Sequence, residues 1–138
     1  MIFEPSWWLR GQHLQSILPS FPGRRPFVER RAASMLAVSQ EHLLDCGDGV
    51  RLQAFHSPAS SPNPDKRPTL VVLLHGWEGS AQSLYVLSLA QSLHEQGFDV
   101  VRLNLRDHGE THHLNRDLFH SCRLDEVVGA IKEIQSHF

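Results

Sequence analysis

The chain has 138 residues, 41% of them hydrophobic, which is enough for one compact domain or for part of a larger one. Its formal net charge of −2 gives no electrostatic argument for nucleic acid or an anionic membrane as a partner. No apolar run approaches the roughly 20 residues of a membrane-spanning helix, and Glu4, Pro5 and Arg10 interrupt any secretory leader, so a cytoplasmic protein is expected.

The first part of the chain divides into an arm and a hairpin. Residues 1–27 hold four prolines and are predicted to be an irregular N-terminal arm packed on the domain of residues 28–138. Residues 36–46 and 50–55 are predicted to be strands. The sequence Gly47-Asp48-Gly49 between them is typical of a hairpin turn.

The second half predicts a strand–helix–strand unit and a further helix. The apolar run at 70–75 is typical of a strand buried on both faces, and residues 98–105 predict a second buried strand. Between them, Ser80 is the expected N-cap of a helix that ends at Gly97. The last helix is predicted from near Ser121, with an apolar face of Leu124, Val127, Val128, Ile131 and Ile134.

A glycine-containing loop, His75-Gly76-Trp77-Glu78-Gly79-Ser80, follows the first of these strands. Open α/β sheets bind ligands at the carboxyl ends of their strands. The backbone N–H of Trp77 is a candidate donor to the oxyanion of an acyl-transfer intermediate. His75, Gly76, Gly79 and Ser80 are expected to shape the loop, His75 as a hydrogen-bonded structural residue. Alternatively, the two glycines only make a tight turn; a phosphate loop is disfavoured because no Gly-Lys-[Ser/Thr] follows.

A cluster of histidines and carboxylates follows the second strand: His108, His112, His113 and His120, with Asp107, Glu110 and Asp117. No regular ligand spacing occurs there, so a solvated polar loop is favoured over a metal site. Cys46 and Cys122 are too few for a disulfide scaffold or a zinc site. No metal or cofactor is expected.

Several short motifs together resemble the YheT-like group of α/β-hydrolases: Pro5-x-Trp7-x-Leu9-Arg10, His13-Leu14-Gln15, Leu74-His75-Gly76-Trp77-Glu78-Gly79-Ser80, Asn104-x-Arg106 and His120-Ser121. The resemblance implies the N-terminal part of an α/β-hydrolase fold, a mostly parallel sheet flanked by helices, with an N-terminal β-hairpin. It implies a Ser-Asp-His triad that hydrolyses carboxylic esters, with the oxyanion donor at Trp77. One departure is Arg106-Asp107-His108-Gly109, where such hydrolases usually carry Arg-Gly-x-Gly.

The resemblance places the nucleophile, acid and base after Phe138, because no Gly-x-Ser-x-Gly occurs in the chain. The complete protein is therefore expected to hydrolyse a small-molecule acyl ester, and the 138-residue chain to be inactive alone. The chain alone is also expected to self-associate through the strand at 70–74. Two alternatives are a truncated, non-catalytic binding or interaction module, and a metal-dependent enzyme built on the histidine cluster.

Overall fold

The computed structural model describes residues 4–59 and 69–138. The segment 57–68 is rich in Pro and Ser, which predicts an exposed loop, and most of it lies outside the described residues. No helix in these ranges has the length and apolarity needed to cross a membrane. The helices and strands in chain order are α1 (Gln12–Ile17), α2 (Arg25–Ala37), β1 (Gln40–Asp45), β2 (Arg51–Ser57), β3 (Leu70–Leu74), α3 (Leu84–Glu95), β4 (Asp99–Leu103) and α4 (Leu124–His137).

The strands form one sheet in the order β1-β2-β4-β3. β2 pairs antiparallel with both β1 and β4, whereas β3 and β4 run parallel on either side of helix α3 in the chain. The predicted α/β fold with an N-terminal hairpin is confirmed. Among the described strands the sheet is mixed rather than mostly parallel, because the hairpin contributes two antiparallel pairings.

The hairpin turn depends on residues that tolerate positive φ angles. Gly47, Asp48 and Gly49 have φ angles of 87°, 52° and 76°. Glycine adopts such angles without steric cost, and Asp is among the residues that tolerate them best. Strands β1 and β2 flank this turn, and their pairing begins with Asp45 opposite Arg51.

Helix α2 corrects the expected N-terminal organisation. Residues 25–37 are helical, so the first strand starts at Gln40 rather than at residue 36. Pro26 lies in the first helical turn, where its missing N–H costs no hydrogen bond. Val28, Ala32 and Met35 follow at helical spacing and are buried. The segment before α2, expected to be irregular, contains α1 and three single turns of 3-10 helix.

The sheet has a separate apolar core on each face. Helices α2 and α3 cover one face, with a core of Val28, Ala32, Met35, Leu84, Leu87, Ala90 and Val100. Helix α4 covers the other face, with a core of Leu44, Leu52, Ala54, Val101, Leu103, Ala130 and Ile134. The molecule is thus a three-layer α/β/α arrangement, and β4 contributes side chains to both cores.

Two details of burial differ from expectation. Strand β3 is only half-buried, and Leu74 is 46% exposed, because β3 pairs with β4 alone among the described strands. Helix α4 begins at Leu124, which is exposed, as is Val128. Its buried apolar residues are Ala130 and Ile134. A side chain at Gly129 would collide with the carbonyl of Cys46 in the hairpin, so α4 lies close to the hairpin at this glycine.

Candidate active site

The loop after β3 starts with a tight turn that exposes Trp77. The N–H of Gly79 donates to the carbonyl of Gly76 at 3.0 Å. Between them, Glu78 has a φ of 53°, whereas Trp77 has no positive φ. This combination is the pattern of a type II turn, in which Trp77 occupies the first central position. The Trp77 side chain is 80% exposed at the tip of the loop.

The N–H groups of the turn have different partners. The Gly76 N–H donates to the Tyr85 hydroxyl at 2.6 Å. The Trp77 N–H donates to no acceptor in residues 4–59 and 69–138, so it is available to a ligand. Tyr85 also explains why residue 79 is glycine. A Cβ at Gly79 would lie 2.8 Å from the Tyr85 hydroxyl and 3.0 Å from the Gly76 carbonyl oxygen.

His75 links the loop to the end of β4. Its side chain is buried, and its Nε2 accepts a hydrogen bond from the Leu105 N–H at 3.1 Å. Nδ1 therefore carries the proton and donates to the Gly76 carbonyl at 2.8 Å. Burial lowers the pKa of His75 below 6.5, against a smaller opposing effect of the Gly76 hydrogen bond. Both ring nitrogens of His75 are thus engaged in hydrogen bonds with backbone groups.

Ser80 does not cap helix α3, which corrects the expected N-cap. The helix begins at Leu84, and Ser83 precedes it. The Ser83 Oγ accepts from the Ser80 N–H at 2.9 Å, and the Ser80 Oγ accepts from the Gln82 N–H at 3.1 Å. Both hydroxyls thus bind backbone amides of the loop, and neither contacts a histidine. The extra turn arises because the loop continues to Ala81, which is buried against β4.

Asn104 connects three segments at the end of β4. It is 2% exposed. Its Oδ1 accepts from the Ala81 N–H at 2.7 Å, and its Nδ2 donates to the Gln53 Oε1 at 2.6 Å. Only a short amide side chain supplies both a donor and an acceptor at this reach. Asn104 therefore fixes the distance between the loop, β4 and β2.

Asp107 occupies the position after β4 where the resemblance leads one to expect a glycine. It adopts a φ of 58°, as glycine would. Its Oδ2 accepts from the Phe119 N–H at 2.7 Å, a charge-assisted hydrogen bond that compensates part of the backbone strain. The loop keeps the course that a glycine would allow, and the carboxylate additionally ties down the segment before α4.

A buried ion pair holds helix α4 to the same loop. The Arg106 guanidinium donates to both oxygens of Glu126, with its Nη2 2.6 Å from Oε1. The two side chains are 4% and 11% exposed. The remaining nitrogen of Arg106 donates to the Asp117 carbonyl at 3.2 Å, and Arg123 also contacts Glu126. The hydrogen bond with Glu126 raises the pKa of Arg106.

The predicted histidine cluster is spread out. His112, His113 and His120 are exposed. Among the described residues, no three His, Cys, Asp or Glu side chains come together as a metal site. His108 instead joins a row of rings. It lies 4.6 Å from the His75 ring and 4.8 Å from Phe119, which lies 6.3 Å from Trp77.

Three residues that support the loop carried no assigned role in the sequence analysis: Tyr85, Asn104 and Arg102. Arg102 is fully buried below the loop, and its Nη1 donates to the Ala81 carbonyl at 3.0 Å. Burial lowers the pKa of Arg102 to about 10. The sequence signal for a special role of Arg102 is a charged residue within the otherwise apolar central part of β4. Tyr85 gave none, because its contact depends on how α3 packs against the loop.

Comparison with known proteins agrees with this topology. The sequence model of the α/β hydrolase fold matches residues 69–137, which is half of the chain. The chain belongs to the α/β hydrolase fold family. The matched residues contain β3, the loop that follows it, α3, β4 and α4. No curated protein matches the sequence significantly.

Two solved structures share the fold of this chain at low sequence identity. A candidate α/β hydrolase of unknown function from Agrobacterium tumefaciens is 20% identical, with a TM-score of 0.55, over 70% of this chain and 43% of its own. Est1E from Butyrivibrio proteoclasticus, solved with ferulic acid bound, is 21% identical, with a TM-score of 0.54. The match covers 68% of this chain and 36% of Est1E. This chain spans less than half the length of these two proteins.

Proposed function

We propose that this chain belongs to a serine hydrolase of carboxylic esters, of the YheT-like group, in which the Trp77 N–H stabilises the oxyanion. The observation that carries the proposal is the available N–H of Trp77, at the carboxyl end of β3 in a chain of α/β hydrolase fold. A tetrahedral acyl intermediate carries a negative oxygen, and a fixed N–H donor lowers its energy without reorganisation.

The neighbouring contacts support a fixed position for that donor. Tyr85 accepts the N–H of Gly76, and His75 donates to the carbonyl of the same residue, so the peptide groups on both sides of Gly76 are held. Asn104 holds the loop further along, at Ala81. A donor held in this way costs little entropy when the oxyanion forms, which is the condition for a large effect on rate.

The proposal assigns the nucleophile and its base to sequence beyond residue 138. Ser80 and Ser83 bind backbone amides, and both nitrogens of His75 are engaged. The 138-residue chain by itself is therefore proposed to be inactive, and its substrate in the complete protein to be a small acyl ester.

A turn-compatible substitution tests the role of the Trp77 amide in the complete protein. Proline suits the first central position of a type II turn, so Trp77→Pro removes the N–H while the turn geometry is retained. We expect kcat for a short activated ester to fall about 10²-fold or more. Trp77→Phe keeps the N–H and should lose much less. Similar losses in both variants would assign the role to the side chain.

Labelling with a fluorophosphonate probe tests the assignment of the nucleophile. The complete protein should be labelled stoichiometrically at one serine, and the 138-residue chain should not be labelled or turn over ester. Labelling of Ser80 or Ser83 would contradict the proposal. A complete protein without labelling or turnover would favour the non-catalytic module.

A further inference from the structure

Large apolar side chains lie exposed on the segment before the sheet. Within the N-terminal arm predicted at residues 1–27, the structure describes residues 4–24 before α2, with α1 and the three 3-10 turns. From here on, the arm means these described residues. The exposed apolar residues of the arm and of the following helix are Trp7 (82%), Trp8 (59%), Leu14, Ile17, Phe21 and Phe27 (62%). Six large exposed apolar side chains thus occur between residues 7 and 27, and a concentration of exposed apolar surface favours an interaction site.

Hydrogen bonds within the arm hold this surface in place. Arg24 Nη1 donates to the carbonyls of Leu18 and Pro19 at 3.0 and 3.1 Å. Gln15 Nε2 donates to the Leu9 carbonyl at 2.9 Å. Leu14 and Ile17 are three residues apart on α1 and therefore share one face. The apolar side chains thus project from a backbone with its own internal contacts.

The charge of the chain is segregated along the sequence. Residues 1–38 contain five arginines and two glutamates, a formal charge of +3, whereas residues 39–138 contain eight basic and thirteen acidic residues, a formal charge of −5. The formal net charge of −2 is the sum of these two opposite charges. The exposed aromatic residues of the arm therefore lie in the basic part of the molecule.

A polar cleft lies between α2 and α3 beside this surface. It encloses about 200 Å³ and is lined by Arg24, Phe27, Arg31, Ser88, Gln91 and Ser92, together with Val28. Helical spacing brings Arg24, Phe27 and Arg31 to one side of α2. Gln91 is 4% exposed, and its buried Oε1 has no hydrogen-bond partner. The cleft therefore offers the cationic groups of Arg24 and Arg31 and the hydroxyls of Ser88 and Ser92.

We propose that the N-terminal arm docks on a membrane surface that contains anionic phospholipids, with one headgroup in the α2–α3 cleft. Tryptophan and aliphatic side chains favour the boundary between headgroups and acyl chains, and nearby arginines are attracted to anionic headgroups. In the cleft, Arg24 and Arg31 face the headgroup phosphate, and Ser88 and Ser92 lie on the opposite helix. The negative charge of residues 39–138 orients the rest of the molecule away from the membrane.

Vesicle binding by the chain tests the proposal. Co-sedimentation compares vesicles of phosphatidylcholine alone with vesicles that also contain phosphatidylglycerol, with a lipid-free control for sedimentation. We expect binding only to the anionic vesicles, and its loss at high salt, because charge attraction at a surface is screened. Equal binding to both vesicle types, or to neither, would overturn the proposal.

Paired variants locate the surface. The double variant Arg30→Gln, Arg31→Gln removes two exposed charges from α2 and should weaken vesicle binding about tenfold or more. Arg116→Gln removes an exposed charge elsewhere and should not. Trp7→Ala with Trp8→Ala should also weaken binding, whereas Leu118→Ala, at an exposed apolar residue elsewhere, should not. Equal effects of the variants and their controls would place the binding surface elsewhere.

Two further outcomes would assign the surface to other occupants. If inorganic phosphate binds the chain without vesicles and displaces them, the cleft is a site for free phosphate. If the chain forms a dimer that the Trp7 and Trp8 substitutions abolish, a second copy covers the arm. Either result would overturn membrane docking.

Discussion

The buried ion pair between Arg106 and Glu126 gives the most quantitative prediction. Replacing Glu126 with Leu leaves the guanidinium of Arg106 buried with one acceptor, the Asp117 carbonyl. Removing one partner of a buried pair costs about 3–5 kcal/mol of unfolding free energy, because the remaining charge is uncompensated. A cleft of about 400 Å³ borders both side chains, so water can reach the guanidinium after the substitution. We therefore expect a cost near the lower end, about 3 kcal/mol.

The chain contains a matched control for this substitution. Arg25 and Glu29 form an ion pair of the same chemistry at 2.9 Å, but their side chains are 49% and 46% exposed. Glu29→Leu should change the free energy of unfolding by less than about 0.5 kcal/mol. Urea denaturation followed by far-ultraviolet circular dichroism measures both variants. If Glu126→Leu leaves too little folded protein, Glu126→Gln gives a milder loss of about 2 kcal/mol.

A double substitution separates the ion pair from simple packing. Arg106→Met combined with Glu126→Leu removes both charges together, so it should cost less than Glu126→Leu alone. The reasoning is refuted if Glu126→Leu costs no more than Glu29→Leu, or if the two substitutions at the buried pair add.

Titration, backbone conformation and the sheet edge each give a further prediction. Because burial lowers the pKa of His75, its contribution to stability is complete above the unfolded-state pKa of about 6.5 and falls as the pH drops below it. His75→Gln should flatten this pH dependence of urea denaturation, and an unchanged slope would contradict it. Gly109→Ala should cost about 1–3 kcal/mol, since its φ is 67° and the new carbon would lie 2.6 Å from Asn104 Nδ2. Gly11→Ala, with a nearest contact of 3.8 Å, should leave the melting temperature almost unchanged, and equal shifts would be inconsistent with strain at Gly109. Leu74→Lys, at the exposed end of β3, should raise the monomer fraction in light scattering. A parent chain that is already monomeric would show that this edge does not associate.

The hairpin and the end of α3 could be predicted from sequence because their signals are local. Gly47, Asp48 and Gly49 adopt the positive φ angles that their composition predicts, and Gly97 follows the end of α3 with a φ of 84°. The sequence does not predict helix α2, because Pro26 is expected to break a helix. Its position in the first turn makes it compatible with a helix.

The candidate site was predicted less completely, because its contacts connect distant parts of the chain. The loop itself follows from the order of apolar residues and glycines. The Tyr85 hydroxyl and the Asn104 amide reach the loop only after α3 and β4 are packed. The sequence also predicts more burial for β3 than the structure has. An apolar run occurs in central and in edge strands, so it does not distinguish them.

The hydrogen bonds of the candidate loop also set an order of events during synthesis. The loop leaves the ribosome before β4, yet Ala81 donates to a residue 23 positions later and His75 accepts from one 30 positions later. Until β4 has paired with β3, these groups have only water as partners. The loop that presents the Trp77 amide therefore reaches its final form late, as a product of sheet assembly rather than as a preformed turn.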